Sequence, residues 1–207
     1  VLNRTSRHRH YLLPLLNAMF PHFCRGCGER ILIEEHPFFC PTCWEVSPRI
    51  ERPFCSICGR PHPRTVGMMN PTIFPCGPCA AKPHRFPFRR ALGAAYFTGT
   101  VAETIKLLKF HKRIRALAPL TTLMRECAGR ELNVSEYTYV VPVPLHRVRE
   151  RSRGFNQSRL LAEALLSLFP NAALDETLRR TRPTKTQSLL SDHKERARNV
   201  RGAFELI

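Results

Sequence analysis

Two unlike parts in series are predicted: a small metal-bound module, then an α/β domain. Two observations carry this expectation. All but one of the nine cysteines fall into Cys-x-x-Cys pairs in the first half of the chain. From Tyr139 to Phe169 the residues run as strand, basic loop and helix, the repeating unit of an open α/β sheet. A chain of 207 residues has room for one good core plus a smaller module.

Residues 1–20 are expected to form a short amphipathic N-terminal helix. Its apolar run, Tyr11 to Phe20, is too short to span a membrane and is interrupted by Pro14 and Asn17. The basic flank from Arg4 to His10 resembles the start of a signal peptide, yet no small-residue cleavage pattern follows before Cys24. A cytoplasmic protein is therefore expected. The chain opens on Val1 rather than Met, which suggests an alternative start codon or a clipped beginning.

Residues 21–84 carry the pairs Cys24/Cys27, Cys40/Cys43, Cys55/Cys58 and Cys76/Cys79. Two residues between cysteines let one tight turn present both sulfurs to a tetrahedral ion, and four sulfurs make a closed, structural zinc site. Gly28 and Gly59 directly follow two of the pairs, where the backbone must turn. Two zinc ribbons are expected, with consecutive quartets preferred over an interleaved pairing that spacing alone leaves open. Disulfides would need an oxidising compartment, and a thioredoxin-like dithiol would need a βαβ setting. His22, His36, His62 and His84 lie close by, but the cysteines already saturate two sites.

The segment from Lys82 to Arg90 reads as a basic, proline-punctuated linker, with a domain boundary near residue 85 and the α/β domain over 85–207. There, Ala91 to Phe97 is expected as a strand, and Thr100 to Glu103 as a capping box opening a helix with Val101, Ile105 and Leu108 on one face. Lys106, Lys109, His111, Lys112 and Arg113 would decorate the end of that helix as a solvated face. A second helix is expected from near Pro119 to a Gly129 cap, with Cys127 as a core thiol. Tyr139 to Val143 suits a buried parallel strand ending at Pro142 and Pro144. Asn156 would cap the next helix, with Leu161, Ala164, Leu165 and Leu168 on one face before Pro170. A short strand over Leu174 to Arg180, a mobile polar loop from Arg180 to Gln187, a capped helix from Asp192 through Arg198 and a strand at Gly202 to Ile207 complete the reading.

Arg147, Arg149, Arg151 and Arg153 crowd the loop between the central strand and its helix, where the helix dipole also points. Together they predict an anion site for phosphate; the alternative is a solvated surface turn. A formal charge of +17 favours a polyanionic partner.

These residues together resemble the ComF family of competence-associated proteins. The resemblance rests on the four cysteine pairs, on Tyr96 followed by Ile105-Lys-Leu-Leu-Lys-Phe-His111, and on Val141-Pro-Val-Pro-Leu-His146. It rests further on Arg153-Gly-Phe-Asn-Gln157, on Thr184-Lys-Thr-Gln187, and on Arg196 and Asn199 through Gly202-Ala-Phe204. It implies a type I phosphoribosyltransferase-like fold, mostly parallel, that binds 5-phosphoribosyl 1-diphosphate with Mg²⁺. The segment from His146 to Gly154 would form the pyrophosphate loop, with Arg149, Arg151, Arg153, Arg182 and Lys185 as the candidates to stabilise the departing pyrophosphate and Asn156 and Gln157 either ordering the loop or contacting oxygens. The stretch from Arg180 to Asn199, including Arg182, Lys185, Gln187 and Arg196, would be a flexible loop over the ligand.

The resemblance also implies an acidic pair with a Thr-Thr-Gly-type turn that grips the ribose and 5-phosphate, expected after Ile207 and absent here. The domain is thus expected to be C-terminally incomplete, a fragment or a truncated homologue, and no catalytic residue is assigned. The implied function is a role in DNA uptake during natural transformation, with phosphoribosyl diphosphate, single-stranded DNA and the DNA-uptake machinery as partners, and transferase activity only with the missing loop. The alternative is a zinc-ribbon nucleic-acid-binding or scaffold protein without catalysis.

Overall fold

A computed structural model describes residues 18–31, 38–63, 73–83 and 86–207. Apart from residues 18–20, the expected N-terminal helix lies outside the described residues. Two compact units divide the chain, Val1–Ile105 and Lys106–Ile207.

The first unit has little regular structure. Strands β1 (His22–Phe23) and β2 (Arg30–Ile31) pair antiparallel around the first cysteine turn. Helix α1 (Pro41–Glu45) starts from Cys40, and helix α2 (Gly77–Ala81) starts from Cys76, each with proline in its first turn, where a missing amide costs nothing. Phe39, Trp44 and Phe54 are buried in this unit. Ile57 and Phe86 pack against the second cysteine cluster, and the Ala91 amide donates to Ile57 O at 2.8 Å. The Tyr96 amide donates to Pro48 O at 3.0 Å, and the Ile50 amide to Ala94 O at 3.2 Å. The strand expected over Ala91 to Phe97 is therefore only an isolated bridge, Arg49 with Ala95, because the facing residues 48–50 offer too short an edge for a ladder.

Helix α3 (Gly99–Phe110) begins one residue before Thr100, so the expected capping box does not form. The Thr100 hydroxyl instead meets the Ser47 hydroxyl, and Glu103 pairs with Arg25 at 3.1 Å. Val101 and Leu108 are buried as expected, joined by Leu107.

In the second unit, α4 (Leu117–Glu131) starts two residues before Pro119 and runs through Gly129, which is a helix residue rather than its cap. Leu120, Leu123 and Cys127 are buried along it. β3 (Tyr139–Val140) pairs in parallel with β4 (Ala173–Leu174). The expectation of a buried strand reaching Val143 is corrected here. β3 has one partner strand among the described residues, and Tyr139, Val141 and Val143 are exposed. Helices α5 (Arg147–Arg153) and α6 (Gln157–Leu166) follow, and α6 packs on α4. The buried face of α6 is Ala162 and Leu165, continued by Phe169, which is rotated from the face expected.

The stretch read as one strand is two, β4 and β5 (Leu178–Arg180), parted by a turn in which Asp175 accepts from the Thr177 amide at 2.8 Å. Helix α7 (His193–Val200) begins after Asp192, though without a side-chain cap bond. β6 (Phe204–Leu206) then pairs antiparallel with β5. Of the two ladders in this unit one is parallel and one antiparallel, so the described residues form a mixed α/β region rather than a mostly parallel sheet. Among the described residues no helix is long and apolar enough to cross a membrane.

Candidate functional site

The cysteines gather as two consecutive quartets, Cys24, Cys27, Cys40 and Cys43, then Cys55, Cys58, Cys76 and Cys79, with ligand atoms in each group within 4.8 Å of one another. The order that spacing left open is therefore consecutive. Sulfurs held about 2.3 Å from a tetrahedral zinc stand about 3.8 Å apart. The separations are 3.6 Å for Cys27–Cys40 and 3.8 Å for Cys58–Cys76, far beyond disulfide length.

Backbone amides turn inward onto the first sulfur of each quartet. Cys24 Sγ accepts from Cys40 N at 3.2 Å and Gly26 N at 3.3 Å, and Cys55 Sγ from Cys76 N, Cys58 N and Ile57 N at 3.3, 3.4 and 3.5 Å. The turns that aim these amides close through Gly28 and Gly59, at φ +78 and +70, values open to glycine at little steric cost.

Burial alone would raise the Cys24 thiol, but the amides of Cys27, Cys40 and Gly26 bring it down to about 6, and the corresponding amides do the same for Cys55. Cys43 is pushed up to about 12 by its neighbours Cys40 and Cys27, and Cys79 to about 12 by burial and then Cys76. Four thiolates this close ionise together only around a cation. The two sites fit two structural zinc ions, with no open position for chemistry.

The basic segment after β3 is a helix, not the expected loop. His146 Nδ1 accepts from the Val148 amide at 3.4 Å at one end, and Gly154 at φ 91 donates its amide to Glu150 O at 2.7 Å at the other. Helical spacing sorts the four arginines into two faces: Arg147 and Arg151 are exposed, while Arg149 and Arg153 are partly buried. Arg149 Nη2 reaches Thr186 Oγ1 at 3.2 Å and Thr184 O at 3.4 Å, Arg153 donates to Gln157 Oε1, and Arg180 to Thr184 Oγ1. Asn156 caps α6 by accepting from Ser158 N at 3.0 Å and donates to Val143 O at 3.2 Å, so it ties the start of α6 to the segment that follows β3.

Arg149, Arg180 and His146 line a pocket of about 280 Å³ with Ser152, Thr184, Val148 and Pro183. None of these is acidic. Burial and then Arg149 hold Arg153 below the usual guanidinium range, and burial, then Arg149 and Arg182, do the same for Arg180. Lys109 is lowered by burial and then by Arg153, which places it among these cations rather than on the solvated face expected for it. Sequence reasoning missed Lys109 because a lysine near a helix end has a sufficient explanation in the dipole.

The expected flexible segment is tied to α7. Arg182 Nη2 donates to Arg201 O at 2.8 Å and Asn199 O at 3.1 Å, Gln187 Nε2 to Arg196 O at 3.3 Å, and Arg196 Nε to Leu190 O at 2.8 Å. Asn199 holds both backbone groups of Lys185, accepting from N at 3.1 Å and donating to O at 3.0 Å.

Residues 15–80 match the family described as Double zinc ribbon domain. The chain is 33% identical over 189 residues to the DNA utilization protein YhgH of Escherichia coli, covering 90% of this chain and 78% of that protein. It is 32% identical over 163 residues to the DNA utilization protein YhgH of Salmonella typhimurium, covering 73% and 70%. To the Competence protein F of Haemophilus influenzae it is 29% identical over 134 residues, 63% of this chain and 57% of that protein. No solved structure matches. Two cysteine quartets with zinc geometry, and relatives that align along most of the sequence, establish that the chain belongs to the ComF family.

Proposed function

We propose that this chain serves DNA uptake or utilization, as the names of its relatives imply for them, and that its second half binds phosphoribosyl diphosphate through the pyrophosphate group. In this reading residues 21–84 are a zinc-braced module, and residues 85–207 are the phosphoribosyltransferase-like domain, in a protein of the cytoplasm. The observation that carries the ligand is the acid-free pocket where Arg149 and Arg180 converge, with Arg153 close enough to Arg149 to feel its charge. Positive groups fixed at that place would stabilise charge developing on a departing pyrophosphate, should transfer occur. Arg151 and Lys185, exposed beside them, would add long-range attraction. The pocket offers no carboxylate to a divalent cation, so Mg²⁺ would arrive on the diphosphate, and no step here depends on it.

Calorimetric titration with phosphoribosyl diphosphate tests this. A hydrogen bond to a charged group contributes about 1.5–3 kcal/mol, so Arg149→Ala or Arg180→Ala should weaken binding tenfold or more with zinc content unchanged. Unchanged affinity, or loss of zinc instead, refutes the reading.

A second reading, single-stranded DNA binding, is favoured by the charge of +17. Its affinity should fall steeply with salt as counterions are released, and salt-insensitive binding would exclude it. Trp44 is buried, so it supplies no base-stacking platform.

A further inference from the structure

The arginines of the anion pocket do not hold themselves in place. Thr184 accepts from both Arg149, through its carbonyl, and Arg180, through its hydroxyl, while Thr186 accepts from Arg149 again. Between these threonines lies Lys185, whose amide and carbonyl are both engaged by the single side-chain amide of Asn199, fourteen residues away on α7. That arrangement imitates one rung of a sheet without a strand. Arg182 adds a tie to the carbonyls that end α7. The bonds of Asn199 and Arg182 are open to water, which competes for them, whereas the arginine–threonine bonds are partly buried. Solvent-exposed hydrogen bonds with little apolar burial mark a segment that opens at low free-energy cost.

We propose that Asn199 is a latch. Closed on Lys185, it sets Thr184 and Thr186 so that Arg149 and Arg180 point into the pocket; released, it frees the segment and scatters the two guanidiniums. Asn199 touches no ligand and acts through Lys185, as a positioning residue. An anion that needs both arginines binds the latched form and shifts the population toward it. The inference rests on the anion-site reading above.

The test uses the full zinc-loaded chain, inorganic pyrophosphate and two readouts. Asn199→Ala should weaken pyrophosphate binding about five- to tenfold, the fraction of chains no longer latched setting the loss. The salt dependence of binding should stay that of the parent, because no charge was removed, whereas Arg149→Ala should flatten it. In the unaltered chain, trypsin cleavage after Lys185 should slow as pyrophosphate is added, and Asn199→Ala should speed it. The bond after Arg182 precedes Pro183 and resists trypsin, and fragment masses separate cleavage after Lys185 from cleavage after Arg179, Arg180 and the basic residues of α7. Parent-like affinity in Asn199→Ala, or no pyrophosphate protection of the unaltered chain, overturns the latch. If Arg149→Ala also binds like the parent, the anion site itself falls.

Discussion

Cys55 and Cys27 are both first-order zinc ligands by geometry, yet replacing them should have very different consequences. Cys55 is 0% exposed, and its sulfur receives amide hydrogens from Cys76, Cys58 and Ile57. Cys27 is exposed. Serine at position 55 places a shorter, harder oxygen where a thiolate had accepted three donors. At about 1 kcal/mol for each amide left badly aimed, the added loss is about 3 kcal/mol, on the order of a hundredfold in zinc affinity. Ile57 and Phe86 pack on the same cluster, so the loss should spread into the unit's stability. Competition with a chromophoric chelator on the full chain, calibrated by metal analysis, measures both sites. Cys55→Ser should weaken its site about a hundredfold more than Cys27→Ser weakens the other, and should lower Tm as well. Equal losses in the two variants would refute the argument that inward amides and burial, rather than ligand count, set the difference.

Gly59→Ala and Gly28→Ala offer a matched pair, since both glycines have positive φ but only Gly59 faces an obstacle, with a Cβ falling 2.6 Å from Ala91 O. Gly28→Ala should cost about 1 kcal/mol and Gly59→Ala at least twice that in urea denaturation, because backbone must also shift. Asn156→Ala removes the cap of α6 and leaves Val143 O without its donor, so a loss of about 1–3 kcal/mol is expected by the same assay.

Local chemistry was legible in the sequence, and non-local pairing was not. The zinc sites could be read because Cys-x-x-Cys puts both ligands on one turn, and the cap at Asn156 because it acts two residues along the chain on Ser158. The α5 helix was read as a loop because Arg147 to Arg153 has no apolar periodicity. Arginine is nonetheless a good helix former, and His146 and Gly154 close the two ends. Its inward and outward arginines become distinguishable only once it is helical. The segment from Arg180 to Gln187 looked mobile from its polarity, but its partners, Asn199 and Arg196, sit on a helix further along. Exposure of β3 was equally invisible, because a strand of Val and Tyr reads the same whether one side or both are covered.

Both candidate sites pose the same electrostatic problem with opposite sign. In each cysteine quartet one thiol is drawn down to about 6 while another is forced up to about 12, so the cluster cannot become fully anionic by itself. In the second unit burial, followed by the charge of Arg149, holds Arg153 and Arg180 below the usual guanidinium range, and the pocket lined by Arg149 and Arg180 holds no carboxylate. Clustering like charges while partly burying them costs folding free energy, so neither arrangement is explained by stability of the bare chain. Each is explained by an ion that binds the folded form alone, which at a hundred times its dissociation constant stabilises by about 2.7 kcal/mol. Zinc matches the donor type and spacing of the first unit's sites, and the diphosphate proposed for the second would match the sign of its pocket. Because the clusters lie in separate compact units, a chelator should act on the first and pyrophosphate on the second, and the two effects should be separable in one chain.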